Sequence, residues 1–357
     1  MPVTSGNYNF QSIEVELLIR EAFERIGILG EFVEPQKLES AKRSINFLLL
    51  DWMDKSINLW TLKGEYQGLV TGQRQYVLSN TVSDIIQVNL RTSSRQLNGV
   101  AQTNTGNTYD NGGGGNPQDA FDGNPNTSCI QNVADGNISY DYGVGNTGYI
   151  TFVGITSAAL LSYEIIIESC PLDPTDIASW KPLLFVPAFE YPVGIPVFYD
   201  IPTPVNARAY RIRAAAQSDD LNLTEIYFNN NTFDFALSNV SRYEYNTYPN
   251  KYLQSRPSVY YLDRQLAPIL NIWPTPSSQY NCLFYSYKKM IQDVGLYTNS
   301  LEIPARLYPS LVWGLTWQLA LKFKPEMAEM LESKYERSFA SATTEVSEDV
   351  NISFKGV

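Results

Sequence analysis

The chain has 357 residues, a formal net charge of −11 and no histidine. This length predicts two or three domains, and the net charge disfavours proteins that bind nucleic acid by neutralising its phosphates. The missing histidine excludes Ser/His/Asp and Cys/His nucleophilic catalysis as well as histidine-ligated zinc.

The negative charge is concentrated in the middle of the chain. Residues 100–230 carry 4 Lys and Arg side chains against 14 Asp and Glu side chains, a net charge of −10. The three cysteines have no CxxC spacing, which fits a reducing compartment where they stay free. No apolar run approaches the length of a membrane span or a signal segment, so we expect a soluble protein made in the cytoplasm.

Two amphipathic helices are predicted at the N-terminus. Ser12 can cap a first helix that runs to about Ile26, with apolar residues on one side. Pro35 suits the first turn of a second helix, whose apolar spacing of three and four continues to about Trp60.

Strand patterns follow at residues 65–70, 75–78 and 85–90. The first two flank Thr71, Gly72 and Gln73, which predicts a hairpin turn. Residues 98–117 read NGVAQTNTGNTYDNGGGGNP, a composition typical of a linker or long loop.

The middle region, about 118–228, is predicted to be all β without a helix. Its predicted strands are residues 149–153, 163–167, 197–201, 209–214 and 223–228. A polar break at 229–232 follows, and further strands are predicted at residues 242–248, 258–263, 270–273 and 281–287.

A long apolar helix and a polar helix close the chain. Five apolar side chains recur at every fourth position, which predicts one buried helix side: Leu307, Leu311, Leu315, Leu319 and Phe323. Pro325 ends this helix, and a polar helix continues to about Phe339. We expect the two N-terminal helices to cover the apolar helix.

The predicted fold class is α+β. Residues 1–97 and 231–342 form a discontinuous helical-bundle domain with a small β-sheet region. An all-β, jelly-roll-like sandwich at 98–230 interrupts it, and residues 343–357 form an extended tail. Insertion at an exposed loop is favoured when the termini of the inserted domain lie close together.

The order of features in the outer domain resembles the head-to-tail adaptor proteins of short-tailed bacteriophages, the tail-tubular and head-completion proteins. The matching stretches are SIEVELLIREAFERIGI, SINFLLLDWMDKSINLW, VSRYEYNTYPNKYLQSRPSVYYLD, LNIWPTP and LEIPARLYPSLVWGLTWQLALKF. They span the outer domain, about two-thirds of the chain.

That resemblance implies a structural virion protein without a catalytic centre. Such proteins form a twelve-subunit connector ring between the portal protein and the tail nozzle or tail fibres, extending the channel through which double-stranded DNA passes without specific binding. A near-neutral or acidic lining suits such passage. The resemblance also implies portal contact by the C-terminal tail, with Glu345, Val350, Ile352 and Phe354 as candidates.

The inserted region resembles the discoidin or coagulation-factor type C fold, a galactose-binding-like β-sandwich. AFDGNPNTSC carries the resemblance at its start and AYRIRAAAQSDDLNLTEIYF at its end. Cys129 stands near the position where that family often has tryptophan, which weakens the match for sugar binding more than for the fold.

A structural Ca²⁺ is implied by the same resemblance. Its candidate ligands are Asp122, Asn124, Thr127 and Glu225, together with backbone carbonyls. Calcium prefers roughly six to eight oxygen ligands in a flexible loop. The alternative is an ordinary turn in which Asp and Asn bond to their own backbone.

A glycan is the possible ligand of the sandwich, and a carbohydrate-binding adhesin is the alternative function to the adaptor. Trp180 and Tyr191 are candidate stacking platforms, although both also fit a core. Arg208, Arg211 and Arg213 could bind phosphate or sialic acid, but solvated strand positions with acids nearby explain them better.

A hydrolase using two carboxylates is the third function considered. Its candidates are Glu164, Glu168, Glu190 and Asp200, and no spacing brings any two of them together.

Overall fold

The computed structural model describes residues 13–28, 34–54, 61–92, 107–110, 115–131, 136–159, 164–188, 192–215, 221–230, 232–277 and 280–344. Contacts divide the chain into two compact units, residues 1–63 with 288–357, and residues 64–287. No helix in these ranges is long and apolar enough to span a membrane.

The described residues form five α-helices, and four of them build the first unit. They are α1 (Val15–Arg25), α2 (Pro35–Asp54), α3 (Arg242–Thr247), α4 (Tyr308–Phe323) and α5 (Ala328–Thr344), with α3 in the second unit. Helix α4 packs against α1, α2 and α5 in one hydrophobic core. This confirms that the N-terminal helices cover the apolar helix.

Close approach of the helices depends on the one glycine of α4. A Cβ on Gly314 would lie 2.7 Å from Cδ2 of Leu48 and 2.9 Å from the ring of Tyr335. Beside it, Nε1 of Trp52 donates a 2.9 Å hydrogen bond to the hydroxyl of Tyr335, which satisfies two polar groups inside an apolar core.

Some of the predicted helix ends lie outside the described residues. Helix α1 ends at Arg25 and begins after Glu14, whose side chain makes no capping hydrogen bond; Ser12 and residues 55–60 lie outside the described ranges. Pro325 ends α4 as predicted, and a short 3-10 turn, Pro325–Met327, leads into α5.

The second unit contains a group of small sheets, called the β body below. Its strands are β1 (Leu62–Gly68), β2 (Gln75–Val77), β3 (Val82–Thr92), β15 (Phe233–Ala236), β16 (Ser238–Asn239), β17 (Gln254–Ser255), β18 (Val259–Asp263), β19 (Ile269–Trp273), β20 (Thr275–Pro276) and β21 (Cys282–Lys289). Two four-stranded sheets, β1-β21-β3-β15 and β16-β18-β19-β2, share one core.

The same unit contains a β-sandwich. Its strands are β4 (Asn107–Asp110), β5 (Cys129–Gln131), β6 (Asn137–Asp141), β7 (Gly148–Tyr149), β8 (Phe152–Ser157), β9 (Ile165–Cys170), β10 (Lys181–Val186), β11 (Val197–Asp200), β12 (Asn206–Ala207), β13 (Ala209–Ala214) and β14 (Leu221–Asn229). Sheets β10-β9-β13-β6-β4 and β11-β8-β14-β5 enclose a second hydrophobic core. The structure is therefore α+β with a two-sheet sandwich, as predicted.

Two local predictions are wrong. The turn at Gly72 is present, but β1 and β2 belong to different sheets, so they form no hairpin. Residues 242–248 are mostly helix α3, because Ser241 and Glu244 form a capping box that satisfies the first N–H groups of a helix.

The predicted division at residues 97 and 231 stays a prediction, and contacts group the chain differently. Strand β15 pairs with β3, so the chain returns to the β body beside the strand from which it left for the sandwich, and contacts place both parts in the second unit. In the described part of residues 107–230 the only helical segments are the 3-10 turns Pro117–Ala120 and Ile177–Ser179, in accord with an all-β region.

Candidate functional site

The outer face of the five-stranded sheet is covered by its own charged side chains. Antiparallel register places Arg211 opposite Glu168. Nε of Arg211 lies 2.5 Å from Oε2 of Glu168, and Arg213 Nη2 lies 3.2 Å from Oε1 of the same carboxylate. Arg208 makes a two-pronged bond to Asp141, at 3.0 and 2.8 Å.

These arginines are mostly buried, so the prediction that they are solvated is wrong, while the prediction of nearby acids is confirmed. The Glu168 side chain is 6% exposed and that of Arg211 12%. Strand pairing brings the charges into register, and the surrounding sheet then excludes water. Carboxylates of the sandwich already pair with these arginines. This pairing disfavours a phosphate or sialic-acid site here.

Trp180, a predicted sugar platform, is buried. It is 9% exposed and packs with Cys170 and Ala209. The guanidinium of Arg211 lies 4.3 Å from its ring centroid, and its Nε1 donates to the carbonyl of Pro174. The ring therefore presents a face to Arg211 and not to solvent.

The loop predicted to bind calcium is held by its own polar groups. Asp122 Oδ1 accepts from the backbone N–H of Asn124 at 2.8 Å, and Oδ2 accepts from the Thr127 hydroxyl at 2.8 Å. Asn124 Oδ1 in turn accepts from the Asn126 N–H. Three of the four predicted ligands thus come together in an exposed loop.

Glu225, the fourth candidate, is buried on β14 at 3% exposure. Strand β5 pairs with β14 so that Cys129 is opposite Leu223. Glu225 lies two residues beyond this pair, past a bulge of β14 between Leu223 and Glu225. Within the described ranges no three His, Cys, Asp or Glu side chains form a metal-sized cluster, so a calcium ion here would depend on amide, hydroxyl and carbonyl oxygens of the loop.

The outer face of the four-stranded sheet is covered by the β body around Arg91. The Arg91 guanidinium makes two hydrogen bonds to Asp234, at 2.8 and 2.7 Å, and a third to the Tyr66 hydroxyl. It also lies 5.6 Å from the ring centroid of Phe152 and 4.9 Å from that of Phe284. Burial opposes the charge of Arg91, but the Asp234 carboxylate raises its pKa overall.

Aromatic packing surrounds this arginine. Phe152, Phe198 and Tyr227 from the sandwich form a cluster with Cys282, and Tyr66 packs against it. Burial raises the pKa of the Cys282 thiol well above its ordinary value. Strand β1 approaches so closely that a Cβ on Gly68 would lie 2.1 Å from the carbonyl oxygen of Pro196.

A cleft of about 440 Å³ opens beside this contact, between β1 and strands β10 and β11. We call it the Glu65/Asp200 cleft, after the two carboxylates in its lining. Its lining residues are Gly64, Glu65, Tyr66, Val186, Pro187, Val197, Phe198, Tyr199 and Asp200. The Tyr66 hydroxyl donates a 2.6 Å hydrogen bond to Asp200 Oδ1, and burial followed by this bond raises the Tyr66 pKa.

A second cleft, of about 380 Å³, lies on the sandwich beside the starts of β10 and β12. We call it the Lys181 cleft. Its lining residues are Ser169, Pro171, Lys181, Pro182, Leu183, Thr203, Val205, Asn206 and Ala207. Lys181 is exposed.

The remaining predicted site residues are scattered or lie outside the described ranges. Tyr191, Glu190 and the tail residues Glu345, Val350, Ile352 and Phe354 fall outside them. Of the carboxylates considered for hydrolysis, Glu168 is bonded to two arginines and Asp200 to a tyrosine.

Sequence reasoning missed Glu65, Tyr66 and Arg91. Glu65 and Asp200 are far apart in the chain and belong to different sheets, so no spacing could connect them. The only local signal was the strand pattern that contains Glu65.

Comparisons with known proteins give structural similarities alone. No protein-family model matches the chain, and no curated protein matches it. Among solved structures, a CBM32 of AlyQ in complex with 4,5-unsaturated mannuronic acid shows 19% identity and a TM-score of 0.29, covering 36% of this chain and 96% of its own. CBM62 from Clostridium thermocellum Xyl5A shows 20% identity and a TM-score of 0.31, covering 36% and 96%.

A third similar structure is chitosan-binding module 2 in complex with chitotriose, from a chitosanase/glucanase of Paenibacillus sp. IK-5. It shows 16% identity and a TM-score of 0.30, covering 35% of this chain and 97% of its own. These matches cover about a third of the chain at low TM-scores, so no residue role follows from them.

Proposed function

We propose that this chain is a non-catalytic saccharide-binding protein whose β-sandwich holds the glycan. The proposal rests on the size and the lining of two clefts, of about 380 and 440 Å³. Each combines apolar side chains with a few polar groups, which is how small-ligand sites of about 300–1,000 Å³ are commonly built.

Residue chemistry supports a binding role over a catalytic one. The chain has no histidine, and its three cysteines are buried. A buried thiol whose pKa is raised, such as that of Cys282, is a poor nucleophile.

A glycan array probed with the intact chain tests the proposal. We expect reproducible binding to a limited set of saccharides, competed by the same free saccharide in solution. Absence of binding across arrays of neutral, amino and acidic glycans would reject the saccharide-binding function.

We further propose that the loop containing Asp122 binds a structural Ca²⁺, which supports the sandwich fold. The carboxylate, amide and hydroxyl oxygens of Asp122, Asn124 and Thr127 already lie together, and Glu225 is on β14, which pairs with the strand β5 that follows this loop. Adding Ca²⁺ should raise the unfolding temperature of the intact chain, whereas Asp122→Asn should reduce that shift. An unfolding temperature unaffected by calcium or chelator would exclude the site.

A second function, the head-to-tail adaptor of a virion, is favoured by a specific surface. On α2, Phe47 is 68% exposed and Leu50 is 48% exposed, and on α1 Leu17 is 57% exposed. Phe47 and Leu50 are three residues apart on one side of α2, and contiguous exposed apolar side chains mark protein–protein contacts. We propose that the helical unit forms a homo-oligomeric ring, with twelve copies implied by the resemblance, that joins portal protein to tail components around passing DNA.

Electron microscopy of the chain mixed with a portal protein tests the adaptor role. Closed rings bound to the portal are expected, and deletion of residues 343–357 should weaken portal binding if the tail holds it. A chain that stays monomeric beside portal protein at high concentration would contradict this function.

A further inference from the structure

We propose that the Glu65/Asp200 cleft is the saccharide site and that it selects sugars presenting hydroxyl or ammonium donors over acidic sugars. This inference rests on the saccharide-binding function proposed above. The site would be shared between the sandwich, which supplies β10 and β11, and the β body, which supplies β1.

Both carboxylates of the cleft are fixed by tyrosines, the half-buried Tyr66 and the buried Tyr285. The Tyr66 hydroxyl donates to Asp200 Oδ1 at 2.6 Å, and the Tyr285 hydroxyl donates to Glu65 Oε2 at 3.0 Å. A side chain held by a second layer of hydrogen bonds loses less freedom when a ligand binds, so binding is stronger.

Acceptor capacity remains at the cleft surface. The Asp200 side chain is 65% exposed, and its Oδ2 accepts no hydrogen bond from the described residues. An ionised carboxylate only accepts hydrogen bonds, so the matching ligand groups are donors, either hydroxyl or ammonium. Bonds to an ionised acceptor are the stronger kind.

Apolar side chains form the rest of the lining. Val186, Pro187 and Val197 lie at one side, and the aromatic rings of Phe198 and Tyr199 lie along β11. Sugar rings combine C–H faces with hydroxyl edges, so a lining with apolar walls and oriented acceptors fits them.

Charge excludes acidic sugars from this cleft. Its lining contains Glu65 and Asp200 but no lysine or arginine. The nearby Arg91 lies 3.9 Å from Asp200, Nη1 to Oδ1, but it is bonded more closely to Asp234, with Nη2 to Oδ2 at 2.7 Å. A uronate would meet a surplus of negative charge, since Glu65, Asp200 and Asp234 face the single cation of Arg91, and this mismatch lowers affinity.

The Lys181 cleft is the alternative binding site, and its lining has the opposite charge. It has similar volume, a lysine and no carboxylate in its lining. If that cleft were the binding site, acidic sugars would be preferred and Glu65 and Asp200 would have no influence.

Isothermal titration calorimetry with the intact chain distinguishes these arrangements. The probes are chitosan trisaccharide, which is cationic, chitin trisaccharide, which is neutral, and an alginate trisaccharide, which is anionic. We expect the first to bind most tightly, the second more weakly and the third not at all.

Two conservative variants test the residues. Asp200→Asn and Glu65→Gln keep an oxygen acceptor for Tyr66 and Tyr285, and each should weaken chitosan trisaccharide binding at least about tenfold. Glu164→Gln, an exposed carboxylate on the same sandwich, should leave it unchanged. Because the two test residues lie on different strands, misfolding of one variant, seen in its unfolding temperature, leaves the other as a test.

Different results would reject the proposed site and the saccharide-binding function. Unchanged binding in both Asp200→Asn and Glu65→Gln, with loss in Lys181→Gln, would overturn this site while saccharide binding stands. Preference for the alginate trisaccharide would overturn the proposed selectivity. Absence of binding on every glycan array would reject the underlying function itself.

Discussion

The two outer faces of the β-sandwich are both covered, but by different means. On the five-stranded sheet, Arg211 and Arg213 share Glu168 within the sheet, and Trp180 lies beneath Arg211. On the four-stranded sheet, Phe152 and Phe198 meet Tyr66 and Arg91 of the β body. The first face is completed by its own strands, and the second needs residues from another part of the chain.

The difference shows how much each face depends on distant sequence. Cross-strand pairs form as soon as strands β9 and β13 are in register, so the arginine face is specified within the sandwich. The aromatic face would expose large apolar rings without the β body. The contact around Arg91 therefore fixes the sandwich on the β body and also creates the Glu65/Asp200 cleft beside it.

Arg91→Ala should have the largest effect because it breaks the aromatic face. The Arg91 side chain is 14% exposed, and its removal leaves Asp234 without its cation. We expect a loss of about 3 kcal/mol in the free energy of unfolding, measured by urea denaturation. Arg242→Ala is the control, since that arginine is 68% exposed and its 3.6 Å ion pair should contribute less than about 1 kcal/mol. If both variants lost the same free energy of unfolding, burial would not explain the larger contribution expected of Arg91.

Glu168→Gln should damage the arginine face and leave the contact with the β body intact. Arg211 and Arg213 would lose their shared carboxylate, but both retain some access to water, so we expect a loss of about 2 kcal/mol. Proteolysis at the sandwich boundaries should stay as in the parent chain, whereas Arg91→Ala should increase it. Increased cleavage in Glu168→Gln would show that the two faces are not independent.

Tyr210 lies between the two sheets, and its titration should make the free energy of unfolding depend on pH without involving either outer face. Its hydroxyl lies 2.8 Å from the carbonyl oxygen of Gly148 and 2.7 Å from that of Val205 and can donate its one proton to either, and burial raises its pKa to about 12. The folded-state pKa lies above the unfolded value of about 10, so its stabilisation is complete below pH 10 and is lost as pH rises towards 12. In that window its contribution to the free energy of unfolding should fall by about 1.4 kcal/mol for each pH unit.

Urea denaturation at several pH values checks this dependence. Tyr210→Phe should be less stable at neutral pH, and the difference from the parent chain should shrink above pH 10. A difference independent of pH would rule out Tyr210 as its source.

Arg211→Lys should have the smallest effect and test the stacking on Trp180 specifically. Lysine keeps the charge near Glu168 but loses the planar group that lies 4.3 Å from the ring centroid. We expect a loss of about 1 kcal/mol in the free energy of unfolding and a change in tryptophan fluorescence. Arg213→Lys is the matched control and should leave the fluorescence unchanged.

Local structure was predictable wherever a single periodic pattern determined it. The strand predicted at 209–214 is observed as β13, and Pro325 ends α4 as expected. Prediction failed at residues 242–248, where alternating aromatic residues indicated a strand. There the capping box of Ser241 and Glu244 outweighed the strand pattern.

The candidate site was less predictable than the fold. The loop with Asp122, Asn124 and Thr127 could be located because its ligand candidates are neighbours in sequence. The cleft could not, because Glu65 and Asp200 are brought together by the packing of two sheets. Trp180 was mistaken for a platform, since its sequence context does not show that Arg211 covers it.

The sequence by itself determined the apolar helix α4, the all-β character of the middle region, and the absence of histidine chemistry. Each depends on composition or on a short repeat, because backbone periodicity is a local property. Only the tertiary structure decided that Arg91 joins the sandwich to the β body and that two distant carboxylates line one cleft. Such contacts depend on which sheet faces meet, and this follows from burial of the whole apolar surface, which no local pattern determines.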